Sequence, residues 1–278
     1  MLPVRIARRS FCSTIAGLSQ FEHLLVSQLR SNVIHVQLNR PEKLNALNET
    51  LWQEVGDCFS QLSTHPSCRV VVLSGVGRMF CSGIDFECFA KLSSIAYNEQ
   101  LDTARKAFQL RTLIEKFQGA FTNIEKCPKP VLCSVHGACI GAGFNLLCAT
   151  DVRYCSSDAY FQIKEVQLGF APDVGILQRL PKIIGNHSLM REYAFTGKQI
   201  MAEEALRLGL VSRILPSSKE ALQSVIDLAE NISIQSPIAV QGTKLQLNHA
   251  RDYPVDLSLQ SMVRCMFLIV CLKALMNA

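Results

Sequence analysis

The stretch Val131-Leu-Cys-Ser-Val-His-Gly-Ala-Cys-Ile-Gly-Ala-Gly-Phe-Asn-Leu-Leu-Cys-Ala149 decides the fold. Val131–Val135 is a short, mainly apolar run, as a strand covered on both faces would be. Gly137, Gly141 and Gly143 interrupt it, and Phe144–Ala149 resumes as a helix. A buried strand therefore delivers a glycine-rich turn into a helix. Upstream, Arg69–Leu73 is another largely β-branched strand that runs into Gly75-Val-Gly77 and then Ser82-Gly83. Before it, Asn32–Asn39 alternates like a half-buried strand, and Asn48 can cap a helix that carries Leu51, Val55, Phe59 and Leu62 on one face. A helical stretch is predicted from about Ser94 to Lys126, ended by Pro128 and Pro130. Val152–Cys155, Tyr160–Ile163 and Val211–Leu215 are strand-like, while Ala202–Leu208, Lys219–Ile232, Ile238–His249 and the segment from Val255 onward read as helices. The pattern predicts an α/β core over residues 21–215, built from repeated strand, strand, helix units, with a C-terminal helical region over residues 216–278.

Composition excludes several classes. An apolar share of 49% over 278 residues supports at least one large core and rules out a disordered or fibrous chain. The longest apolar run, Cys265–Leu272, stops at Lys273, well short of the ~20 residues of a membrane span. The net charge of +5 owes three units to Arg5, Arg8 and Arg9, inside an opening of 21 residues that contains no acid. The body is near neutral, which argues against a nucleic-acid partner. The basic, serine-containing, amphipathic opening predicts a mitochondrial transit peptide over residues 1–20. The 12 cysteines form no C-x-x-C pair and have no histidine at zinc spacing. Those at Cys133, Cys139 and Cys148 lie in apolar runs, so reduced core thiols are expected, and no metal. The six histidines show no triad or metal spacing.

Chemistry has two loops to occupy. Met79–Asp85 and His136–Gly143 each follow a buried strand, are rich in small residues, and can aim free backbone N–H groups at a ligand; one N–H from each would make an oxyanion hole. Two ordinary glycine turns are the competing reading. Glu165 and Asp173 flank the predominantly apolar segment 166–172, where a carboxyl group should have a raised pKa and suit acid–base work near neutrality. A solvated charge beside Lys164 and a helix cap before Val174 remain open for them.

Asn39-Arg-Pro-Glu-Lys-Leu-Asn-Ala-Leu47, Cys81-Ser-Gly-Ile-Asp85, Gly137-Ala-Cys-Ile-Gly-Ala-Gly143 and Gln178-Arg-Leu-Pro181 together resemble the crotonase (enoyl-CoA hydratase/isomerase) superfamily, from about Phe21 to Arg264. Ser82–Phe86, Ile124–Pro130, Phe161–Val166, Asp173–Pro181 and Val240–Lys244 are most similar to its dienoyl-CoA isomerase branch. The resemblance implies a crotonase-type spiral of repeated ββα units. It implies isomerisation of a 3,5-dienoyl-CoA to the 2,4-dienoyl-CoA in the β-oxidation of unsaturated fatty acids. The alternatives are a Δ3,Δ2-enoyl-CoA isomerase, an enoyl-CoA hydratase, or an acyl-CoA-binding protein without catalysis. Carried over residue by residue, it implies an oxyanion hole from the N–H groups of Ile84 and Ala142, and Glu165 and Asp173 as the proton-transfer pair. Ser82, Gly83, Ile84, Asp85, Phe86 and Gly143 would line the acyl site, and Lys43, Leu44 and Ala46 would contact CoA. No cofactor beyond the CoA of the substrate is implied. One position departs: Asn145 stands where the isomerases have an aspartate and hydratases a catalytic glutamate, and an amide cannot carry a proton in this pH range. Hydration is thereby disfavoured. A homotrimer or homohexamer in the mitochondrial matrix is implied as well. The segment from Cys265 departs from the isomerase tail and carries no C-terminal Ser-Lys-Leu, so a peroxisomal address is not expected.

Overall fold

The computed structural model describes residue 15 and residues 17–264, so most of the predicted transit segment and the tail from Cys265 lie outside the described residues. The chain opens with the hairpin β1 (Leu24–Arg30) and β2 (Val33–Leu38), turned at Asn32, whose φ of 66° is in the left-handed region that asparagine tolerates. Asn48 caps α1 (Glu49–Thr64) by accepting from Leu51 N–H at 2.9 Å, and α1 leads into β3 (Val70–Gly75). Two helices follow, α2 (Phe86–Ala96) and α3 (Thr103–Lys126), and then β4 (Val131–Val135), β5 (Ala138–Ile140) and α4 (Ala142–Leu147). The chain continues through β6 (Val152–Ser156), β7 (Tyr160–Gln162), a 3-10 turn Glu165–Leu168, α5 (Ile176–Arg179) and α6 (His187–Thr196). It closes with β8 (Ile200–Met201), α7 (Ala202–Arg207), β9 (Arg213–Leu215), α8 (Ser218–Ser233) and α9 (Pro237–Asp252), and residues 255–264 are again helical.

Six strands form the main sheet in the order β1-β2-β3-β4-β6-β9, antiparallel only at the β1–β2 hairpin. The smaller sheet is β5-β7-β8. Both β4 and β6 thus end in a turn that sends the next short strand into the second layer, and a helical turn follows: β4, β5, α4, then β6, β7 and the turn at Glu165. Cys81 does the same after β3 by bridging to Cys139 of β5. This is the repeated unit expected from the sequence.

The β-branched run of β3 follows from its place in the sheet. Val70 and Val72 face a cluster completed by Val225 and Ala229 of α8, whereas Val71 and Leu73 face the larger core around Trp52, Phe59 and Phe121. Both faces are covered, so alternation disappears. The nine cysteines described are buried and unpaired, and burial pushes the Cys81 thiol up to about 12. No helix among the described residues is long and apolar enough to cross a membrane.

The helix expected over Ser94–Lys126 is two helices. The first starts earlier, at Phe86, where Asp85 accepts from Glu87 N–H at 3.0 Å. The break falls where Asn98 accepts from Gln100 N–H and Asp102 from Arg105 N–H, both at 2.9 Å, side-chain bonds that compete with continued helix. Strand β1, the short β5, α5 and β8, and α6 have no counterpart in the sequence reading, being an edge strand and short elements with little periodicity.

Candidate active site

Three chain segments are stitched side by side at the end of β3. Asn45 is fully buried beside Leu44, both with left-handed φ (55° and 54°). The Asn45 amide holds this bend: its oxygen accepts from Arg40 N–H at 2.9 Å, and its nitrogen donates to the carbonyls of Val76, Met79 and Phe80 at 2.8, 3.1 and 3.1 Å. Leu47 N–H then donates to Gly83 O (2.8 Å), and Leu47 O accepts from Asp85 N–H (3.0 Å). On the other side Cys81 N–H donates to Ala138 O and Ile140 N–H to Cys81 O, each at 3.0 Å. Because Leu47 engages Gly83 and Asp85, the intervening Ile84 turns its own N–H away from Leu47. Neither Ile84 N–H nor Ala142 N–H donates to an acceptor among the described residues.

The two glycine loops expected from the sequence meet here. A Cβ on Gly83 (φ 106°) would lie 3.2 Å from Ile140 O and 3.8 Å from Ala142 N, and one on Gly143 would lie 2.6 Å from Cys81 Cβ. Ala142 is the first residue of α4, so its N–H has no partner within the helix.

Glu165 opens the 3-10 turn after β7. Its carboxyl group lies over Gly141, where a Cβ would stand 3.8 Å from Oε1 and 3.9 Å from Oε2, one residue from Ala142 N–H. Asn145 Nδ2 donates at 2.9 Å both to Glu165 Oε1 and to Gly141 O, and Asn145 Oδ1 accepts from Ile176 N–H at 2.7 Å. Since Ile176 N–H needs an acceptor, this network fixes the amide orientation. Glu165 is 6% exposed, and its Oε2 is buried with no hydrogen-bond partner. Burial raises its pKa, the nearby Asp173 charge adds to the effect, and hydrogen bonds from Asn145 and the backbone oppose it. Asp173 is half-buried, and burial likewise raises its pKa.

The competing readings of these two carboxylates do not match the geometry. Lys164 Nζ donates to Gln167 Oε1 at 2.6 Å, and the N-cap of α5 is Gly175, not Asp173, with no side-chain cap. Asp85 is otherwise engaged: Arg40 Nη1 donates to its carboxylate at 2.9 Å and to Ala46 O at 2.5 Å. Burial works against the ionised Asp85, yet the bonds from Glu87 N–H and Arg40 hold its carboxyl below the usual range. Ser82 is partly exposed and its N–H donates to Leu44 O at 3.0 Å; Phe86 is 90% exposed at the start of α2. Lys43 is exposed, Leu44 partly so, and Ala46 is buried against the Arg40 guanidinium. The sequence reading missed Arg40, Asn45 and Cys81, which hold the segments in place. A buried asparagine among Leu44, Ala46 and Leu47 was the available signal.

Comparison with known proteins follows the same lines. A family profile described as enoyl-CoA hydratase/isomerase matches residues 28–264. The mitochondrial Delta(3,5)-Delta(2,4)-dienoyl-CoA isomerase of Rattus norvegicus is 51% identical over 242 residues, covering 87% of this chain and 73% of the rat protein. The peroxisomal Delta(3,5)-Delta(2,4)-dienoyl-CoA isomerase of Arabidopsis thaliana is 44% identical over 226 residues, 81% of each chain. Among solved structures, a putative enoyl-CoA hydratase from Thermobifida fusca in complex with acetoacetyl-CoA superposes with a TM-score of 0.75 at 25% identity, over 90% of this chain and 95% of that one.

Proposed function

The chain belongs to the enoyl-CoA hydratase/isomerase family, and from that premise we propose how it acts: it is an isomerase that converts a 3,5-dienoyl-CoA to the 2,4-dienoyl-CoA. Glu165 is the base. Its Oε2 removes a proton from C2, and the electron pair of the C2–H bond moves into a trienolate spread over the carbonyl oxygen, C2, C4 and C6. Ile84 and Ala142 N–H hold the oxygen, each supplying roughly 3 kcal/mol of transition-state stabilisation. Protonated Asp173 delivers a proton to C6, leaving double bonds at C2 and C4. The pair resets by exchanging protons with solvent. No cofactor enters these steps, and CoA comes with the substrate.

The observation that carries this reading is the unpartnered, buried Oε2 of Glu165, one residue's width from the free Ala142 N–H. A hydratase that works through a second proton-carrying group has none at Asn145, whose amide is already bonded to Gly141, Glu165 and Ile176. The test is the rise of conjugated 2,4-dienoyl absorbance with purified protein. Glu165→Gln and Asp173→Asn should each lower turnover by about 10²–10⁴-fold, and unchanged turnover in either overturns the assignment.

The active form is proposed to be a homotrimer or a stacked homohexamer. Ile238, Leu245 and Leu247 of α9 and Val255, Leu257, Leu259 and Val263 beyond it are exposed apolar side chains, which supports burial against another copy. Light scattering of the purified protein tests this, and a monomer overturns it. The basic opening and the mitochondrial relative support work in the mitochondrial matrix. Loss of mitochondrial import on removing residues 1–20 is expected.

A further inference from the structure

We infer that Glu125, acting through Arg179, is a positioning residue for Asp173, which deepens the proposed role of Asp173 and rests on it. Asp173 lies in a loop with no regular structure of its own between the Glu165 turn and α5, so its place must be set from outside. Three residues of α3 do this from one helix face, Gln118, Thr122 and Glu125, spaced i, i+4 and i+7. Gln118 Nε2 donates to Asp173 O at 2.6 Å. Arg179 folds back from α5 across Gly175, where any Cβ would overlap its Nη1 and where φ is 117°. From there Nη1 reaches Val174 O at 3.5 Å, and Nη2 reaches Thr122 Oγ1 at 3.3 Å and Glu125 Oε2 at 3.1 Å.

The brace continues outward. The other carboxylate oxygen of Glu125 accepts from Arg251 Nη1 of α9 at 2.5 Å, and Glu125 O accepts from Asn248 Nδ2 at 3.2 Å. The Arg179 and Glu125 side chains are only 11% and 16% exposed, so this charge-assisted pair is little screened by water. Glu125 therefore stands between two guanidinium groups, one from α5, which follows the loop that carries Asp173, and one from α9. A planar fork can meet Val174, Thr122 and Glu125 together, which a lysine cannot. Glu165 is held by a different side chain, Asn145, whose Oδ1 accepts from Ile176 N–H at the start of the same α5 that carries Arg179.

The experiment is a double-mutant cycle on the full chain, with 3,5-dienoyl-CoA as substrate and thermal unfolding as control. Glu125→Gln should lower kcat by about 10²-fold while KM changes by less than about twofold, because a misplaced donor slows chemistry without touching the thioester grip. In an Asp173→Asn background the same substitution should cost nothing further. Arg179→Lys should recover part of what Arg179→Gln loses. Gln118→Leu, at an exposed position, should repeat the pattern with a smaller loss, and it decides the matter should Glu125→Gln not fold. Equal losses of kcat in the presence and absence of the Asp173 carboxyl group overturn the inference. Wild-type turnover by Asp173→Asn would instead overturn the role of Asp173 itself.

Discussion

Both amide hydrogens and the oxygen of Asn145 are engaged, and the arrangement leaves no place for a carboxylate there without an added proton. An aspartate oxygen in the position of Nδ2 would face Gly141 O and Glu165 Oε1, two acceptors at 2.9 Å. Asn145→Asp should make the two carboxyl groups share a proton, raising the apparent pKa at which Glu165 becomes a free base. The acid limb of the rate–pH profile should therefore move to higher pH than in the wild type, and superimposable profiles would contradict this. Gly143→Ala tests the other half of the site. Its Cβ would stand 2.6 Å from Cys81 Cβ, so the two glycine loops must part, and with the proposed oxyanion hole spread apart kcat should fall by about 10²–10³-fold. Glu165 and Asp173 drew attention in the sequence because each flanks an apolar segment, and the family resemblance supplied the roles proposed for them. Asn45 and Glu125 were not, because their roles depend on partners 31 to 126 residues away.

Strands β2 and β3 show what an element can and cannot announce. The β-branched run of β3 declared a strand buried on both faces, and α8 on one face and the main core on the other account for it. His35 in β2 gave no such signal, being one polar residue in an alternating stretch. In the sheet it is paired with Val72, one diagonal step from Ser74, whose hydroxyl lies 2.8 Å from its Nε2. Burial lowers the His35 pKa to about 4 from 6.5. Between these values the unfolded chain binds a proton that the folded chain refuses, so stability falls as pH drops from about 6.5 toward 4, by roughly 3 kcal/mol in all. His35→Gln keeps a polar partner for Ser74 without the titration. Its urea midpoint should change less between pH 7 and pH 4.5 than that of the wild type, and equal changes would contradict the assignment. The α2–α3 break escaped the sequence reading for a related reason: its apolar spacing is continuous, and only the capping carboxylates of Asp85 and Asp102 mark two starts.

At the scale of the molecule, α9 joins the rest of the chain in an unusual way. Of its 16 residues only Lys244 is buried, while Ile238, Leu245 and Leu247 face outward. The helix is therefore not docked by an apolar stripe, which is why its periodicity announced a helix but not its attachment. Polar anchors hold it instead. Lys244 Nζ donates to Asp151 Oδ2 at 2.6 Å and to Lys129 O at 3.0 Å, and Asp151 Oδ2 also accepts from Val131 N–H at 2.7 Å, at the very start of β4. Arg251 and Asn248 add the contacts to Glu125, and Lys182 pairs with Asp252. Such an attachment leaves the apolar residues outward while tying the helix to the strand that feeds the second glycine loop. Lys244→Met keeps the buried length of the side chain but removes its charge, leaving Asp151 and Lys129 O short of a donor in a site 7% exposed at Lys244. The cost should be about 2–3 kcal/mol, somewhat under that of a fully buried pair because Asp151 keeps some contact with water. In a domain of this size the unfolding midpoint should fall by roughly 5–10 °C. Limited proteolysis should at the same time cut near Ser236, ahead of α9, faster than in the wild type. An unchanged midpoint together with an unchanged cleavage rate would overturn Lys244 as an anchor of α9.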